Sequence, residues 1–228
     1  MSAPSPPDVV VLDYGSGNLR SAQRALIRAG ARVSVTADLA AAAAADGLVV
    51  PGVGAFAACM AGLDAIAAGP VIAARVAAGA PVLGICVGMQ VLFEFGDEHG
   101  VVTQGLGLLP GGVTRLDADR VPHMGWNTVT PAAGSRLFAG LGPRTRFYFV
   151  HSYAARPAPL AGTSALAAIT DHGGAFLAAV EAGPLSATQF HPEKSGDAGA
   201  ALLRNWLAGL ERGDRVASPA PTGLASAT

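Results

Sequence analysis

The chain has 228 residues, 51% of them hydrophobic and only 14% charged, so it can bury a substantial core and is not a mainly disordered segment. A formal net charge of −1 with scattered lysines and arginines excludes a general affinity for nucleic acid or anionic membrane, because both need a concentrated basic surface. Small molecules or other proteins are the expected partners.

The first seven residues (MSAPSPP) carry no apolar run after a basic start, so no secretory signal is expected, and they are read as disordered. Residues 8–212 are taken as one domain. Its first half alternates short apolar runs with longer amphipathic ones. Residues 8–12 (DVVVL) form a predicted strand, 13–17 a turn and 18–29 a helix. Residues 31–36 are a second strand, and Asp38 is placed to cap the alanine-rich helix that follows. Residues 48–50 open a third strand ending at Pro51, and 55–78 read as helical with a break near Gly69-Pro70. Residues 81–85 are the fourth strand and 88–95 the next helix. The uncharged stretch 76–93 reaches the minimum length of a membrane span, but Gly79, Pro81, Gly84 and Gly88 interrupt it.

Strands that are apolar on both faces and alternate with helices indicate an α/β fold with a mostly parallel sheet covered by helices. In the second half, 147–150, 165–170, 175–181 and 185–190 are strand-like and close together, as an antiparallel or mixed extension of that sheet. A last helix over 197–210 packs back through Leu202, Leu203, Trp206 and Leu210. The tail 213–228, small and proline-rich without periodicity, is read as disordered.

Two cysteines, Cys59 and Cys86, make neither a disulfide framework nor a zinc pattern, which points to a reducing, cytoplasmic setting. No metal site, nucleotide site or cofactor is assigned. Cys86 lies in Gly84-Ile85-Cys86-Val87-Gly88, after an apolar strand and before a helix. This is the G-x-nucleophile-x-G form of an elbow, in which glycines permit a tight turn and the Val87 N–H can serve an oxyanion. An inert buried cysteine in a glycine turn fits the pentapeptide equally well. Gln189-Phe190-His191-Pro192-Glu193 ends a later predicted strand. In extended chain, residues two apart share a side, so His191 and Glu193 can face one site as base and orienting carboxylate. Taken alone, the tripeptide is also compatible with a solvated turn. Together the two segments supply nucleophile, base and acid for acyl transfer through a thioester.

With these residues in view, the chain resembles the class I glutamine amidotransferases. More closely, it resembles the glutaminase subunits of imidazole glycerol phosphate synthase, through DYGSGNL (13–19), PGVGAF (51–56), PHMGWN (122–127), HSY (151–153) and HPEKS (191–195). The resemblance implies a mixed sheet with a flavodoxin-like core and a Cys86, His191, Glu193 triad that hydrolyses glutamine. It implies oxyanion and glutamine-binding roles for Gly52, Val53, Gly54, Val87, Gln90, His151, Ser152 and Tyr153. Gly52 and Gly54 suit a peptide that must rotate. It also implies a separate (β/α)₈ cyclase subunit that receives the ammonia, in a heterodimer, with Asn18, His123, Trp126 and Lys194 toward that partner. Local chemistry leaves other roles open: helix capping for Asn18 and Gln90, core packing for Trp126 and Cys59, and simple solvation for Lys194. The rival readings are a glutaminase serving anthranilate, pyridoxal phosphate or purine synthesis, and a non-enzymatic regulatory subunit of the same fold.

Overall fold

Three runs of valine, leucine and isoleucine become the centre of the sheet. In the computed structural model, which describes residues 5–211, these are β1 (Asp8–Leu12), β3 (Gly47–Gly52) and β4 (Val82–Cys86). All of β3 and β4 is buried, as strands covered on both faces must be. Between β1 and β3 lie α1 (Leu19–Ala29), β2 (Arg32–Thr36) and α2 (Leu39–Ala44). Asp38 caps α2 as expected, accepting the Ala40 N–H at 2.8 Å. The segment before β4 forms two helices, α3 (Phe56–Ala65) and α4 (Ala68–Ala77), bent by 90°. The break falls at Ile66–Ala67, where Ala67 takes a left-handed conformation, and not at Gly69-Pro70. Pro70 sits in the first turn of α4, where its missing N–H costs no helical hydrogen bond.

After β4 the chain departs from expectation. The predicted helix over 88–95 is a single turn, α5 (Val87–Gln90), followed by strand β5 (Phe93–Glu98). A short apolar run such as 91–95 fits helix or strand, and pairing with later strands decides it. β6 (Val101–Gln104) and β7 (Leu109–Arg115) follow, then β8 (His123–Thr128), β9 (Thr130–Pro131), β10 (Arg146–His151) and β11 (Tyr153–Ala155). β12 (Leu166–Asp171), β13 (Ala175–Ala182), β14 (Leu185–Thr188) and α6 (Gly196–Glu211) complete the chain.

The main sheet has eight strands in the order β2-β1-β3-β4-β14-β13-β12-β9. β2 through β14 pair in parallel, and β13, β12 and β9 extend the edge antiparallel. This is the expected mixed, mostly parallel α/β sheet, and its 2-1-3-4 start is the flavodoxin-like order. Two further small sheets, β11-β7-β5-β6 and β10-β8, were not expected; β10 joins β8 and not the main sheet. Helix α6 packs through Leu202, Leu203 and Trp206, all buried, with Leu210 at the margin. Order begins before Asp8: Pro7 is buried and its carbonyl accepts the Arg32 N–H. The other residues expected to be disordered, 1–4 and 213–228, lie outside the described residues. No single helix among the described residues is long and apolar enough to cross a membrane.

Arg75, 4% exposed, ties α2 to the sheet. Its Nη1 donates to the carbonyls of Ala42, Ala43 and Ala45 at 2.9–3.0 Å, and Nη2 donates to Pro81 at 3.1 Å, just ahead of β4. One guanidinium thus takes up carbonyls at the C-terminal end of a short helix, next to the Ala45 N–H that bonds the Ala41 carbonyl. Arg75→Met should strand these acceptors and cost about 2–4 kcal/mol, at about 1–3 kcal/mol per buried group left unpaired and with partial access to water. Urea unfolding measures it: the midpoint should fall without a change in slope. An unchanged midpoint would show that solvent replaces the arginine.

Candidate functional site

In this topology a ligand is expected outside the carboxyl ends of the parallel strands. Cys86 closes β4, Gly52 closes β3 opposite it in register, and the chain leaving β14 carries Gln189 and His191. Cys86 has φ 57° and ψ −114°, a strained backbone for a non-glycine residue and the conformation of a sharp strand-to-helix turn.

The strain is held by close backbone approach. A Cβ on Gly88 would lie 1.9 Å from the Val50 carbonyl oxygen, and one on Gly84 would lie 2.6 Å from that of Gly88. A Cβ on Gly52 would meet the Gly88 nitrogen at 2.4 Å. Gly52 is therefore required for space against the elbow, whereas the expectation gave it to backbone freedom. Gly54 does use that freedom, with φ +87° and open space around it.

His191 and Glu193 meet as expected, with Nδ1 2.8 Å from Oε1 and both side chains 3% exposed. Their route is different. Residues 192–194 form a 3₁₀ turn, so the pair is made by the turn and not by strand alternation. The His191 N–H donates to the Tyr148 carbonyl, and Ser195 Oγ donates to the His191 carbonyl at 2.6 Å, clamping the segment. Burial pushes His191 down, but its hydrogen bonds and charge interactions with Cys86 and Glu193 outweigh this and raise it to about 9. The ring is an imidazolium at neutral pH, which places a positive charge beside the Cys86 sulfur. Helix α5 spans one turn, so its dipole is a minor contributor.

A cavity lies over these groups, lined by Val53, Gly54, Cys86, Val87, Gln90, Glu98, His151, Ser152, Tyr153, His191 and Lys194 among others. All the expected glutamine-pocket residues except Gly52 therefore line one space. Gln90 does not cap a helix. Its Nε2 donates to the Tyr153 carbonyl at 2.8 Å and to Gln189 Oε1 at 3.0 Å, and Gln189 Nε2 lies 3.8 Å from the Cys86 sulfur.

Two residues of this shell were not singled out from sequence. Gln189 is fully buried beside the sulfur, and its only signal was a polar residue ending an apolar strand. Glu98 places a carboxylate in the cavity while its Oε2 accepts the Phe56 N–H at 2.9 Å. It escaped notice because no strand was expected there.

The residues expected to face a partner divide. Trp126 is 53% exposed and its neighbour Met124 is 67% exposed, so Trp126 is not core. Lys194 is exposed at the cavity rim. His123, expected to face outward, is only 5% exposed and bonds to His151 instead, because β8 turns alternate residues to opposite faces. Asn18 makes no capping bond; it lines a small space shared with Gly52, His191 and Glu193.

The segment at Val53 is tethered from the first loop. Ser16 Oγ donates to the Val53 carbonyl at 2.9 Å and accepts the Val53 N–H at 3.2 Å. The Cys59 thiol donates to the same carbonyl at 3.4 Å, and the Tyr14 hydroxyl donates to the Pro51 carbonyl. Cys59, expected as packing, thus also holds this backbone. Burial pushes its thiol up and keeps it protonated as a donor.

A strained cysteine, an imidazolium–carboxylate pair and a cavity with polar groups suit thiolate attack on a carbonyl. The profile of the family "Glutamine amidotransferase class-I" matches residues 10–210. Imidazole glycerol phosphate synthase subunit HisH of Nocardia farcinica is 66% identical over 206 residues, covering 89% of this chain and 98% of that protein. The HisH subunit of Thermobifida fusca is 61% identical over 209 residues, covering 90% and 99%. Among solved structures, a glutamine amidotransferase superposes with a TM-score of 0.62 at 21% identity, covering 89% of this chain and 97% of that one. A chain of PurLQS from Thermotoga maritima gives 0.62 at 20%, covering 91% and 100%, and these two likenesses speak to fold alone. The chain belongs to the class-I glutamine amidotransferase family.

Proposed function

We propose that this chain is the glutamine-hydrolysing subunit of an imidazole glycerol phosphate synthase in histidine biosynthesis, working with a separate cyclase subunit that receives the ammonia. The observation that carries the reading is Cys86 on a strained elbow beside a His191–Glu193 pair at 2.8 Å. Identity of 61–66% to HisH subunits over nearly their whole length supports that acceptor over the other amidotransferases. Both cysteines are free, which fits a reducing cytoplasm.

In this mechanism the Cys86 thiolate attacks the side-chain carboxamide carbon of glutamine. Protonated His191 gives its proton to the departing nitrogen as the C–N bond breaks, releasing ammonia and leaving a γ-glutamyl thioester. His191, now neutral, takes a proton from water, whose oxygen attacks the thioester carbon and expels the Cys86 sulfur as thiolate. The new γ-carboxyl gives its proton to solvent, so glutamate leaves and the thiolate–imidazolium pair is restored. Glu193 keeps the ring oriented and favours its charged form. Val87 and Val53 supply backbone N–H groups toward the oxyanion. Glu98 offers a carboxylate to the substrate's α-ammonium group, and the 151–153 backbone lines the rest of the amino-acid moiety. Asn18, Trp126 and Lys194 lie toward the cyclase in a heterodimer.

Cys86→Ala should abolish glutamine-dependent synthesis in the assembled complex while ammonia supplied in solution still supports it. Residual glutamine hydrolysis by clean Cys86→Ala protein would exclude Cys86 as nucleophile.

His191→Ala should lose on the order of 10²–10⁴-fold in turnover, the usual cost of a lost general acid–base group. Glu193→Gln should be milder. Its signature is in the pH profile. With His191 protonated up to about 9, activity is lost as pH rises through that value, and deleting the Glu193 charge should move this alkaline limb down. An alkaline limb in Glu193→Gln that coincides with the parent's would assign the effect to another group.

The Val53 N–H is engaged by Ser16 Oγ, so in the isolated chain one oxyanion donor is committed elsewhere. A missing donor costs about 10²–10³-fold, which would restrain glutamine hydrolysis until the partner is bound. Ser16→Ala removes the tether, and at about 0.5–1.5 kcal/mol per hydrogen bond it should raise the basal turnover of the isolated chain about 2–10-fold. An unchanged or lower basal rate would mean that the tether does not restrain the site.

A further inference from the structure

Three histidines, His123, His151 and His172, cluster beside the cavity, and the triad uses none of them. Two belong to a chain of hydrogen bonds whose direction is fixed at both ends. At the inner end, His151 Nδ1 lies 3.0 Å from the Tyr153 carbonyl, which can only accept, so Nδ1 carries the proton. At the outer end, Asn127 Oδ1 accepts the Thr128 N–H at 2.8 Å while Nδ2 donates to the Asp171 carbonyl at 3.0 Å, which settles the orientation of that amide. Asn127 Nδ2 also lies 3.3 Å from His123 Nε2, and His123 Nδ1 lies 3.1 Å from His151 Nε2. With a donor arriving from Asn127, His123 Nε2 accepts and Nδ1 donates to His151. The order is Asn127 to His123 to His151 to the Tyr153 carbonyl.

That carbonyl also accepts Gln90 Nε2 at 2.8 Å, and the second Gln90 amide proton goes to Gln189 at 3.0 Å. Both N–H bonds of Gln90 are committed, so its oxygen remains to receive a ligand N–H in the cavity. We propose that His123 is a positioning residue for glutamine: with Asn127 it holds His151, and through His151 the Tyr153 carbonyl on which the Gln90 amide is fixed.

The surroundings support this role. Burial, then the adjacent His172, pushes His123 down to about 4. Burial pushes His151 down to about 3 against the opposing pull of the Tyr153 carbonyl, and the nearby His123, His172 and His191 act with burial. Both rings are therefore neutral, as a chain with one proton per link requires. His123 is clamped between Phe149 and His172, with ring centroids at 4.8 and 4.4 Å, so its ring cannot readily flip to exchange the places of its two nitrogens. Its strand also presents Met124 and Trp126 outward. The relay thus starts on the inner side of an exposed strand and ends in the glutamine pocket.

The inference rests on the glutaminase reading for its kinetic test and is independent of it for its spectroscopic one. In ¹⁵N-resolved spectra of the histidine rings, His123 and His151 should each hold a single proton, on Nδ1, from about pH 5.5 to 8. A proton on His151 Nε2 would overturn the relay whatever the enzyme does.

Kinetically, His123→Phe keeps an aromatic ring between Phe149 and His172 but removes the donor. In the complex with cyclase it should raise the KM for glutamine about 5–30-fold, the effect of leaving buried partners unpaired, with kcat changed far less. His123→Asn loses the stacking but places an N–H two bonds beyond Cβ, where Nδ1 stands, and should recover most of the affinity. A role in packing alone predicts the reverse order, with Phe milder than Asn, and that result or an unchanged KM in His123→Phe would reject the proposal. Should His123→Phe fail to fold, Asn127→Ala, at the half-buried outer end, decides in its place by the same rise in KM. Absence of glutamine turnover in the unaltered complex would reject the glutaminase reading itself, and with it the kinetic role given to His123.

Discussion

Everything at this site depends on how closely two backbones approach where β3 meets the turn after β4. The Gly88 Cα is so near the Val50 carbonyl that no side chain could stand between them, and Gly52 and Gly84 are constrained in the same way. That contact holds Cys86 at a positive φ, a conformation that costs about 1–3 kcal/mol when left to itself. The cost is carried by two strands buried along their whole length. Because the packing that strains Cys86 also sets Gly52 opposite it, nucleophile and candidate oxyanion wall are positioned as a unit. The wall itself is softer: Val53 and Gly54 lie beyond the strand end, and Val53 is held by side chains from the first loop and from α3.

Much of this was legible because its physical causes are local. A run such as DVVVL has no polar face to offer water, so β1, β3 and β4 could be read as buried parallel strands. The G-x-C-x-G spacing announced a turn too tight for other residues. What escaped was decided by distant partners. The run 91–95 becomes β5 because its strand pairs with β6 and β7, and Gly96 and Gly112 give the space that the rings of Phe56 and Phe95 fill. None of that pairing is visible within the pentapeptide. The error concealed Glu98, whose carboxylate reaches the cavity only because β5 exists. His123 was misplaced for a related reason: in HMGWN the polar residues face inward and the apolar Met124 and Trp126 face outward, reversing the usual polarity of a half-buried strand.

Burial acts on His123, His151 and His191 in one direction, against the charged ring, yet they end in opposite states. Neighbours decide between them. His191 has a carboxylate at 2.8 Å and a sulfur that can take a negative charge, and these outweigh desolvation. His123 and His151 have each other, an amide and a carbonyl, and although the Tyr153 carbonyl favours a charged His151, it does not offset the burial. The two outcomes also support each other. A second imidazolium at His151 would repel the first, and the charge on His191 in turn contributes to keeping His151 neutral. For the proposed reaction, a single positive ring beside the sulfur, with the uncharged His123 and His151 behind it, leaves the proton of His191 as the one available to a departing amine. On the proposed mechanism the pocket separates its two tasks by chemistry: the charged histidine moves protons, and the neutral ones hold the frame in which the substrate lies.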